Sequence, residues 1–475
     1  MKRCLLFLPF LFLLVSCATS PITGKKELRL IGDSSEISIG ASTDEQVKAQ
    51  YGVYEDPKLQ EYVANIGKGL VAVSHRKNIP YHFTILDTPI VNAFAAPGGY
   101  IYVTRGLLVR VNSEAELAGV IGHEIGHVTA RHGVKQLQKQ LGFAVLLQAG
   151  TLLLKKKTEL TPDQIGLTQK VANAAFALTV LGYSRENEYQ ADELGTSYEY
   201  QAGHNPEGLL GFLGTLKRMG GKEPDQIEIL LSSHPPTSER IEGIKDQIKG
   251  WDMTGKALRS NHYKGMIDGL PLGRGGTIKG NTYKSRPGRC AVSAPLEWEI
   301  KEPDQGPLCL LQSKDLSVQL SFLKTKEPLT TENFAKAIEE QNSQLKKTEE
   351  GEIKAANISG QVATYLSQEE NKGYRIGYFV KDDLAYLLVG LAPLDKIDAA
   401  QSDIDRVIKS FWILSREELA LLPENRLKVY TVQEGDTLSK IAREFSLEPL
   451  EIARFNGLAE DAQLKAGDKL KVPPN

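Results

Sequence analysis

The sequence predicts a multidomain α+β protein, because the chain is long and changes character along its length. It has 475 residues, more than one domain of ordinary size, and 41% are apolar, which is enough for several cores. We expect a mainly helical domain with a small β-sheet or hairpin at 33–252, a small α+β domain at 290–415, and a strand–helix–helix–strand module at 428–475. Segment 253–289, rich in glycine and basic residues towards its end, is predicted to be a linker, and 416–427 a second one.

The charges of the chain are almost balanced. Its 57 basic and 59 acidic residues leave a formal net charge of −2. Proteins that bind nucleic acid concentrate positive charge on one surface. We therefore expect no nucleic acid among the partners.

The segment Ile121–His127 reads I-G-H-E-I-G-H and lies on a predicted helix. Ser113 is a suitable N-cap, Glu116 completes the S-x-x-E pattern of a capping box, and Gly133 is a stop signal. Apolar residues recur at helical spacing between these ends. The motif therefore falls in the middle of a well-defined helix.

His123 and His127 are one helical turn apart, so their imidazoles can bind the same metal ion. Glu124 is placed to accept a proton from a water on that metal, which is the arrangement typical of zinc peptidases. The longer metzincin pattern is excluded, because Ala130 and Gly133 stand where it requires glycine and histidine.

A third ligand is predicted in N-E-Y-Q-A-D (187–192), on a second helix. Glu188 and Asp192 are four residues apart on one face. Glu188 supplies the carboxylate that a His-His-Glu zinc site needs, and Asp192 can accept the other N–H of a zinc-bound histidine and fix its tautomer. His132 would project about 140° away from His127 on a continuous helix, so we assign it a structural or solvent-facing position.

Four blocks of the sequence resemble one family of H-E-x-x-H zinc metallopeptidases. They are N-A-F-A-A-P-G-G-Y-I-Y-V (92–103), H-E-I-G-H-V-T-A-R-H (123–132), N-E-Y-Q-A-D (187–192) and S-H-P-P-T-S-E-R-I (233–241). The family includes HtpX, the CAAX prenyl proteases and the periplasmic BepA-type enzymes, and the resemblance covers about residues 20–250. The chain resembles the periplasmic branch, because it lacks the hydrophobic spans of the membrane-embedded members.

This resemblance implies a gluzincin-type metalloendopeptidase with one zinc ion. His123, His127 and Glu188 would bind the zinc, with water in the fourth position, and Glu124 would act as general base. The resemblance also places His234 near the active site, where three roles compete: occupying the open zinc position and keeping the enzyme latent, hydrogen-bonding the oxyanion, or starting a helix. Arg240 either stabilises the oxyanion or holds an acidic residue in place.

Two other segments of the predicted domain at 33–252 each allow two interpretations, one structural and one as a binding surface. Residues 91–104 are predicted to form a hairpin turning at Pro97–Gly99, which either adds an extended substrate to its edge strand or shields the core. The apolar stretch 141–154 is too short to span a bilayer. It is either a buried helix and cleft wall or a surface for a membrane or a membrane-protein partner.

The N-terminus has the pattern of a lipoprotein signal peptide at 1–16. Lys2 and Arg3 precede an apolar run, and Leu14–Cys17 reads as a lipobox, so Cys17 is predicted to carry lipid and 17–32 to form a tether. Ala18 does not direct retention in the inner membrane, so we expect the periplasmic face of the outer membrane. The alternative is an ordinary secretory peptide in which Cys17 has no such role.

The α+β segment 290–415 carries no chemical motif. Cys290 and Cys309 are expected to form a disulfide in an oxidising compartment, the alternative being two buried thiols. Strands are predicted at 316–323, 361–367 and 374–392, the last as a hairpin, and helices at 331–347 and 396–411.

The last segment resembles a LysM module in V-Y-T-V-Q-E-G-D-T-L-S-K-I-A-R-E-F (429–445), I-A-R-F-N-G-L (452–458) and L-K-A-G-D-K-L-K-V-P (464–473). The resemblance implies binding to polymers of N-acetylglucosamine, here peptidoglycan. The groove would involve the loop at Gly435, Asp436 and Thr437 and the loop after Asn456. These residues also suit a turn and a helix cap.

The sequence therefore predicts a lipid-anchored zinc metalloendopeptidase of the cell envelope, tethered to peptidoglycan. Its polypeptide substrates would be misfolded or misassembled envelope proteins, as the family resemblance implies. One alternative is a hydrolase of peptidoglycan peptides, although an edge-strand cleft should reject their D-residues. The other is a non-catalytic chaperone or assembly factor built on a protease fold.

Overall fold

The computed structural model of the chain describes residues 16–20, 22, 24–141, 162–179, 181–219, 227–303, 306–325 and 327–474. Of the predicted signal peptide, only Ser16 is described, and of the apolar stretch 141–154, only Leu141. Those two predictions therefore lie outside the described residues.

The N-terminal part is mainly helical. Its helices are α1 (Asp33–Tyr51), α2 (Pro57–Ala72), α3 (Arg105–Arg110), α4 (Glu114–Ala130), α5 (beginning at 132 and described to 141), α6 (Pro162–Leu178), α7 (Arg185–Gln201), α8 (Glu207–Met219), α9 (Glu228–Ser233), α10 (Ser238–Ile248) and α11 (Ser260–Met266). The segment expected to be a tether contains a short antiparallel hairpin of β1 (Ser16–Thr19) and β2 (Lys26–Arg29).

A three-stranded sheet of β3 (His82–Leu86), β4 (Ala93–Ala96) and β5 (Tyr100–Thr104) packs against these helices. β4 and β5 form the expected antiparallel hairpin, joined by a short turn at Pro97–Gly99, and β3 pairs in parallel with β5. β4 is thus an edge strand, although all four of its residues are buried. Binding of a substrate to this edge stays a prediction.

Buried ion pairs fasten the hairpin turn to the helices. The Glu36 carboxylate accepts hydrogen bonds from Arg76 at 2.8 and 2.9 Å and from the backbone N–H of Gly98 at 3.2 Å. The guanidinium of Arg131, the residue after α4, lies 3.1 Å from the same carboxylate. A buried charge is tolerated when it is paired in this way, so one carboxylate joins α1, the turn and the end of α4.

The helices α4 and α7 cross at very short distance because small residues meet at the contact. A Cβ atom on Gly195 would lie 2.6 Å from the backbone nitrogen of His123, and one on Gly126 would lie 2.8 Å from the carbonyl oxygen of Ala191. Gly122 faces Gly195 in the same way. Only residues without a larger side chain allow this approach.

The α+β segment contains a seven-stranded antiparallel sheet and a four-stranded one. The first has the order β12 (Lys346–Lys354), β13 (Ser359–Ser367), β14 (Lys372–Lys381), β15 (Leu384–Pro393), β11 (Ser317–Lys324), β10 (Cys309–Gln312) and β9 (Glu299–Lys301). The second has the order β16 (Trp412–Ile413), β8 (Cys290–Ser293), β7 (Thr282–Ser285) and β6 (Gly276–Lys279). Helices α12 (Thr331–Gln341) and α13 (Ile397–Lys409) pack against the large sheet. The helix expected at 331–347 is shorter, because the chain enters β12 at Lys346.

Both segments predicted as linkers are folded. The first contributes α11, β6 and β7, and several of its glycines have a positive φ, such as 67° at Gly273 and 60° at Gly280. The second contains α14 (Arg416–Leu421), whose Ser415 cap forms a full capping box with Glu418. The glycines that suggested a flexible linker therefore make tight turns between ordered elements.

The disulfide expected between Cys290 and Cys309 is absent: the two cysteines are free thiols. Both lie fully buried in the core between the two sheets. Burial raises the pKa of each thiol, so the reactive thiolate form is disfavoured. The structure thus corresponds to the alternative of two buried thiols.

The C-terminal module has the expected order of β17 (Lys428–Thr431), α15 (Leu438–Phe445), α16 (Pro449–Phe455) and β18 (Lys469–Val472), with the two strands antiparallel. It packs on the N-terminal part. The fully buried Lys471 donates from Nζ to the carbonyl oxygens of Val109 at 2.7 Å and Val111 at 2.9 Å, where α3 ends. Across the described residues, we find no helix long and apolar enough to cross a membrane.

Candidate metal centre

Two capped helices present the side chains of the site. The Ser113 hydroxyl accepts the N–H of Glu116 at the start of α4, and the Ser184 hydroxyl accepts the N–H of Asn187 at the start of α7. The capping box at α4 is modified, because the Glu116 carboxylate accepts the N–H of Asn112. The close crossing of α4 and α7 then brings their facing residues together.

The three predicted ligands converge on one point. The Nε2 atoms of His123 and His127 are 3.0 Å apart. The Glu188 carboxylate lies 3.5 Å from His123 Nε2 and 3.4 Å from His127 Nε2. Ligand atoms about 2.0–2.1 Å from a tetrahedral zinc ion are roughly 3.3 Å from one another. The two imidazoles and the carboxylate therefore fit a zinc ion in both chemistry and spacing.

His234 completes this cluster from the loop between α9 and α10. Its Nδ1 lies 3.3 Å from His123 Nε2 and 3.1 Å from a Glu188 oxygen. One nitrogen or oxygen from each of the four side chains falls within a common span of 4.8 Å. His234 is thus the fourth member of the cluster, at the position where we expected a water from the sequence.

Glu124 faces the same space from α4. Its carboxylate is 2% exposed, and its Oε2 has no hydrogen-bond partner among the described residues. Burial raises the pKa of this carboxyl above its ordinary value. A buried carboxylate oxygen without a partner is costly unless a further group binds it, and a water on a bound metal would supply that group.

Asp192 and Arg240 support the ligands from behind. An Asp192 oxygen lies 2.8 Å from Nδ1 of His123, as predicted for a residue that fixes its tautomer. Arg240 donates twice to Asp192, each time at 2.6 Å, and its Nη1 is 2.9 Å from Glu188. The guanidinium thus contacts two acidic residues, and both roles considered for Arg240 stay predictions.

The acidic neighbours of His123 favour the protonated form of its imidazole. Burial opposes a charge on this imidazole, but hydrogen bonds to Asp192 and Glu188 raise its pKa to about 10. Burial lowers the pKa of His127 well below its ordinary value. The pKa of Glu188 is lowered, since the neighbouring imidazoles outweigh its burial. A divalent cation bound here would take the place of the proton on His123, because a histidine must be deprotonated to bind a metal.

Sequence reasoning missed two contacts of His127. His132 is 2% exposed, and its Nδ1 lies 2.9 Å from Nδ1 of His127. The Tyr183 ring stacks on the His127 ring with centroids 4.2 Å apart. His132 is neither solvent-facing nor remote, because α4 ends at Ala130 and Arg131 adopts a left-handed conformation with φ of 60°. Nothing in the sequence signals that turn, since arginine rarely adopts it.

The site is closed in this structure. His123, Glu124, His127, Glu188 and His234 are between 1% and 7% exposed. The free space beside His127 and Tyr183 amounts to about 10 Å³, roughly the room of a single water.

The residues predicted for a glycan groove in the C-terminal module make internal bonds. The Asp436 carboxylate accepts bonds from the Tyr430 hydroxyl, the Gln433 N–H and the Lys440 ammonium. The Asn456 side chain bonds both backbone groups of Lys471 at 2.7 and 2.8 Å. Thr437 caps α15, and Gly435 has a positive φ of 79°. A glycan-binding role for them stays a prediction.

Comparison with known proteins agrees with this geometry. Residues 57–248 match the model of peptidase family M48, and residues 430–473 match that of the LysM domain. Every residue of the metal cluster falls inside the first match.

Relatives are found over a little less than half of the chain. The beta-barrel assembly-enhancing protease of Yersinia pestis is 29% identical over 45% of this chain and 43% of its own length. The putative beta-barrel assembly-enhancing protease of Vibrio cholerae is 30% identical over 45% and 44%. The mitochondrial metalloendopeptidase OMA1 of Arabidopsis thaliana is 31% identical over 45% and 40%.

This chain thus spans less than half the length of each of these relatives. Residues 57–248, which bear the cluster, are thus similar to the metallopeptidases of family M48, and residues 430–473 are similar to the LysM domain.

Proposed function

We propose that the chain is a zinc-dependent metalloendopeptidase with one zinc ion bound by His123, His127 and Glu188. The observation that carries this proposal is the convergence of the two Nε2 atoms and the Glu188 carboxylate within 3.5 Å of one another, beside the unpartnered oxygen of Glu124. When bound, zinc polarises the scissile carbonyl and lowers the pKa of a water molecule.

The chain's own residues carry the proton transfers. Glu124 accepts the proton of the attacking water and passes it to the leaving amine. Asp192 holds His123 through Nδ1 so that Nε2 faces the metal. Arg240 keeps Asp192 and Glu188 in place and is a positioning residue.

His234 keeps the resting enzyme latent. Its Nδ1 stands among the ligand atoms, and its Nε2 is 3.9 Å from the Glu124 carboxylate. An imidazole there excludes the water and the substrate carbonyl from the fourth position. His234 lies in a loop between two helices, so a rotation of this loop opens the site.

The enzyme acts in the cell envelope on misfolded or misassembled proteins. The lipobox pattern at Leu14–Cys17 supports lipidation of Cys17 and attachment at the periplasmic face of the outer membrane. The LysM match supports tethering to peptidoglycan. Two of the relatives are named beta-barrel assembly-enhancing proteases, which supports envelope proteins as substrates.

Degradation of casein by the mature chain from Ala18 tests the activity. The parent, Glu124→Gln and His234→Ala are compared, with zinc content measured in each. Loss of the general base should lower the rate by about 10²–10⁴-fold while zinc is retained. His234→Ala should cleave faster than the parent because its fourth position is free.

Binding of zinc without cleavage by either the parent or His234→Ala would contradict the proposal. Suppression of aggregation by the same proteins would then indicate a chaperone. Release of soluble muropeptides from purified sacculi would indicate a peptidoglycan-peptide hydrolase instead.

A further inference from the structure

A chain of two side chains leads away from the ligand His127. Nδ1 of His127 lies 2.9 Å from Nδ1 of His132. Nε2 of His132 lies 3.0 Å from Oε1 of Gln190, which is on α7 between Glu188 and Asp192. His132 is 2% exposed, and each of its ring nitrogens has one partner.

The chemistry of the amide determines where the protons lie. Oε1 of Gln190 can only accept, so Nε2 of His132 carries the hydrogen. His132 is buried and has no carboxylate within hydrogen-bond distance among the described residues, so we take its ring as neutral and its Nδ1 as an acceptor. Nδ1 of His127 must then be the donor, and the lone pair of His127 is left on Nε2, the atom that faces Glu188.

The fold builds this contact at a break between two helices. On a continuous helix a residue five positions after His127 would point about 140° away from it. Arg131 has a φ of 60° and ends α4, and α5 begins at residue 132. This turn brings the ring of His132 back beside His127, with ring centroids 5.0 Å apart.

The two ligand histidines are therefore held differently. His123 has a carboxylate, Asp192, at its Nδ1, whereas His127 has a neutral imidazole backed by an amide. We infer that His132 is a positioning residue that selects the metal-binding tautomer of His127, and that Gln190 selects the tautomer of His132. This inference rests on the proposed metal centre.

Zinc affinity, measured by competition with a chelator, tests the role. His132→Leu removes the acceptor, and we expect its affinity to fall by about 10- to 100-fold. His132→Asn places an amide oxygen near the position of the lost Nδ1, so it should recover most of the affinity. A purely structural role would not be rescued by a smaller polar side chain.

Two variants of Gln190 provide a second test if the His132 variants do not fold. Gln190→Glu keeps an acceptor for His132 and should bind zinc as the parent does. Gln190→Leu removes the acceptor and should bind more weakly. Thermal unfolding of the metal-free proteins shows which variants are folded.

The outcomes separate this inference from the proposed function. A parent that binds no zinc would contradict the proposed metal centre itself. A parent that binds zinc, with His132→Leu and Gln190→Leu binding equally well, would overturn the positioning role alone. The positioning role would also be overturned if His132→Asn bound zinc as weakly as His132→Leu.

Discussion

Two of the buried acidic residues are paired with arginines, whereas a third has no such partner. Glu36 is paired with two arginines, and Asp192 with Arg240. Glu199 differs, because it is buried on α7 against the first turn of α8, where a Cβ atom on Gly208 would lie 2.2 Å from its carboxylate. No positive side chain is among the groups that act on its pKa.

Glu199 should therefore give the stability a pH dependence. Burial raises its folded-state pKa well above 4.5, although backbone N–H groups of Leu209 and Gly208 offset part of this. For an acid with a raised pKa, the stabilising contribution is fully present below the unfolded pKa and is lost as pH rises through the folded one. We expect Glu199→Gln, which cannot ionise, to lose less stability between about pH 5 and pH 8 than the parent.

Urea unfolding at both pH values measures this difference. Glu61→Gln, at an exposed position of α2, is the matched control and should keep the parent's pH dependence. Equal pH dependence in the parent and Glu199→Gln would show that Glu199 is not the responsible group.

At the scale of elements, the crossing of α4 and α7 builds the site. His123 and His127 lie on one helix, and Glu188 and Asp192 on the other. The axes can approach closely only because Gly122 and Gly126 face Gly195 and Ala191. The spacing of the metal ligands therefore depends on residues that have no chemical role.

Gly195→Ala should separate the two helices. Its Cβ would lie 2.6 Å from His123 N and 2.8 Å from the Gly122 carbonyl carbon, so the backbone must shift. Overpacking of this kind costs about 1–3 kcal/mol, and we expect zinc affinity to fall as well because the ligands move apart. Unfolding free energy and zinc competition measure the two effects.

Gly69→Ala, on an exposed part of α2, is the control for this substitution. Its Cβ would have no neighbour within 4 Å, and alanine should stabilise the helix by about 0.5–1 kcal/mol. Unchanged zinc affinity and stability in Gly195→Ala would contradict the close packing of α4 and α7.

At the scale of the whole molecule, the LysM domain is docked on the metallopeptidase domain. Lys471 is 0% exposed, and its Nζ reaches the end of α3, just before the N-cap of α4. Further contacts join the backbone of β18 to Lys264 and Asn261 of α11. The two domains therefore share an interface that includes a fully buried lysine, and burial lowers the pKa of this lysine well below its ordinary value.

Lys471→Met should loosen this docking. Methionine fills a similar volume but leaves the carbonyl oxygens of Val109 and Val111 without their donor, and leaving a buried polar group unsatisfied costs about 1–3 kcal/mol. We expect a larger radius of gyration in small-angle scattering and a separate unfolding transition for the LysM domain in calorimetry.

Lys440→Met provides the comparison within the same domain. The Lys440 ammonium is exposed and binds Asp436 inside the domain, away from the interface. This variant should scatter like the parent. Identical scattering and a single transition in Lys471→Met would mean that the other contacts between the domains are enough to hold them together.

The sequence by itself determined the features that depend on neighbours along the chain. Helical spacing placed His123 beside His127 and Glu188 beside Asp192, and the serine caps marked where both helices begin. Alternation and turn residues predicted the hairpin at 91–104 and the one between β14 and β15. These features are local, since a capping bond or an i, i+4 contact involves residues within one turn.

Only the tertiary structure decided which distant residues meet. The position of His234 among the ligands, the engagement of Arg240 with two carboxylates and the contact of His132 with His127 depend on helix crossings and on one left-handed residue, Arg131. Contacts between distant residues also decide that Cys290 and Cys309 remain free thiols and that the segments predicted as linkers are folded. Close packing and backbone reversal are set by contacts far apart in the chain, which residue spacing does not encode.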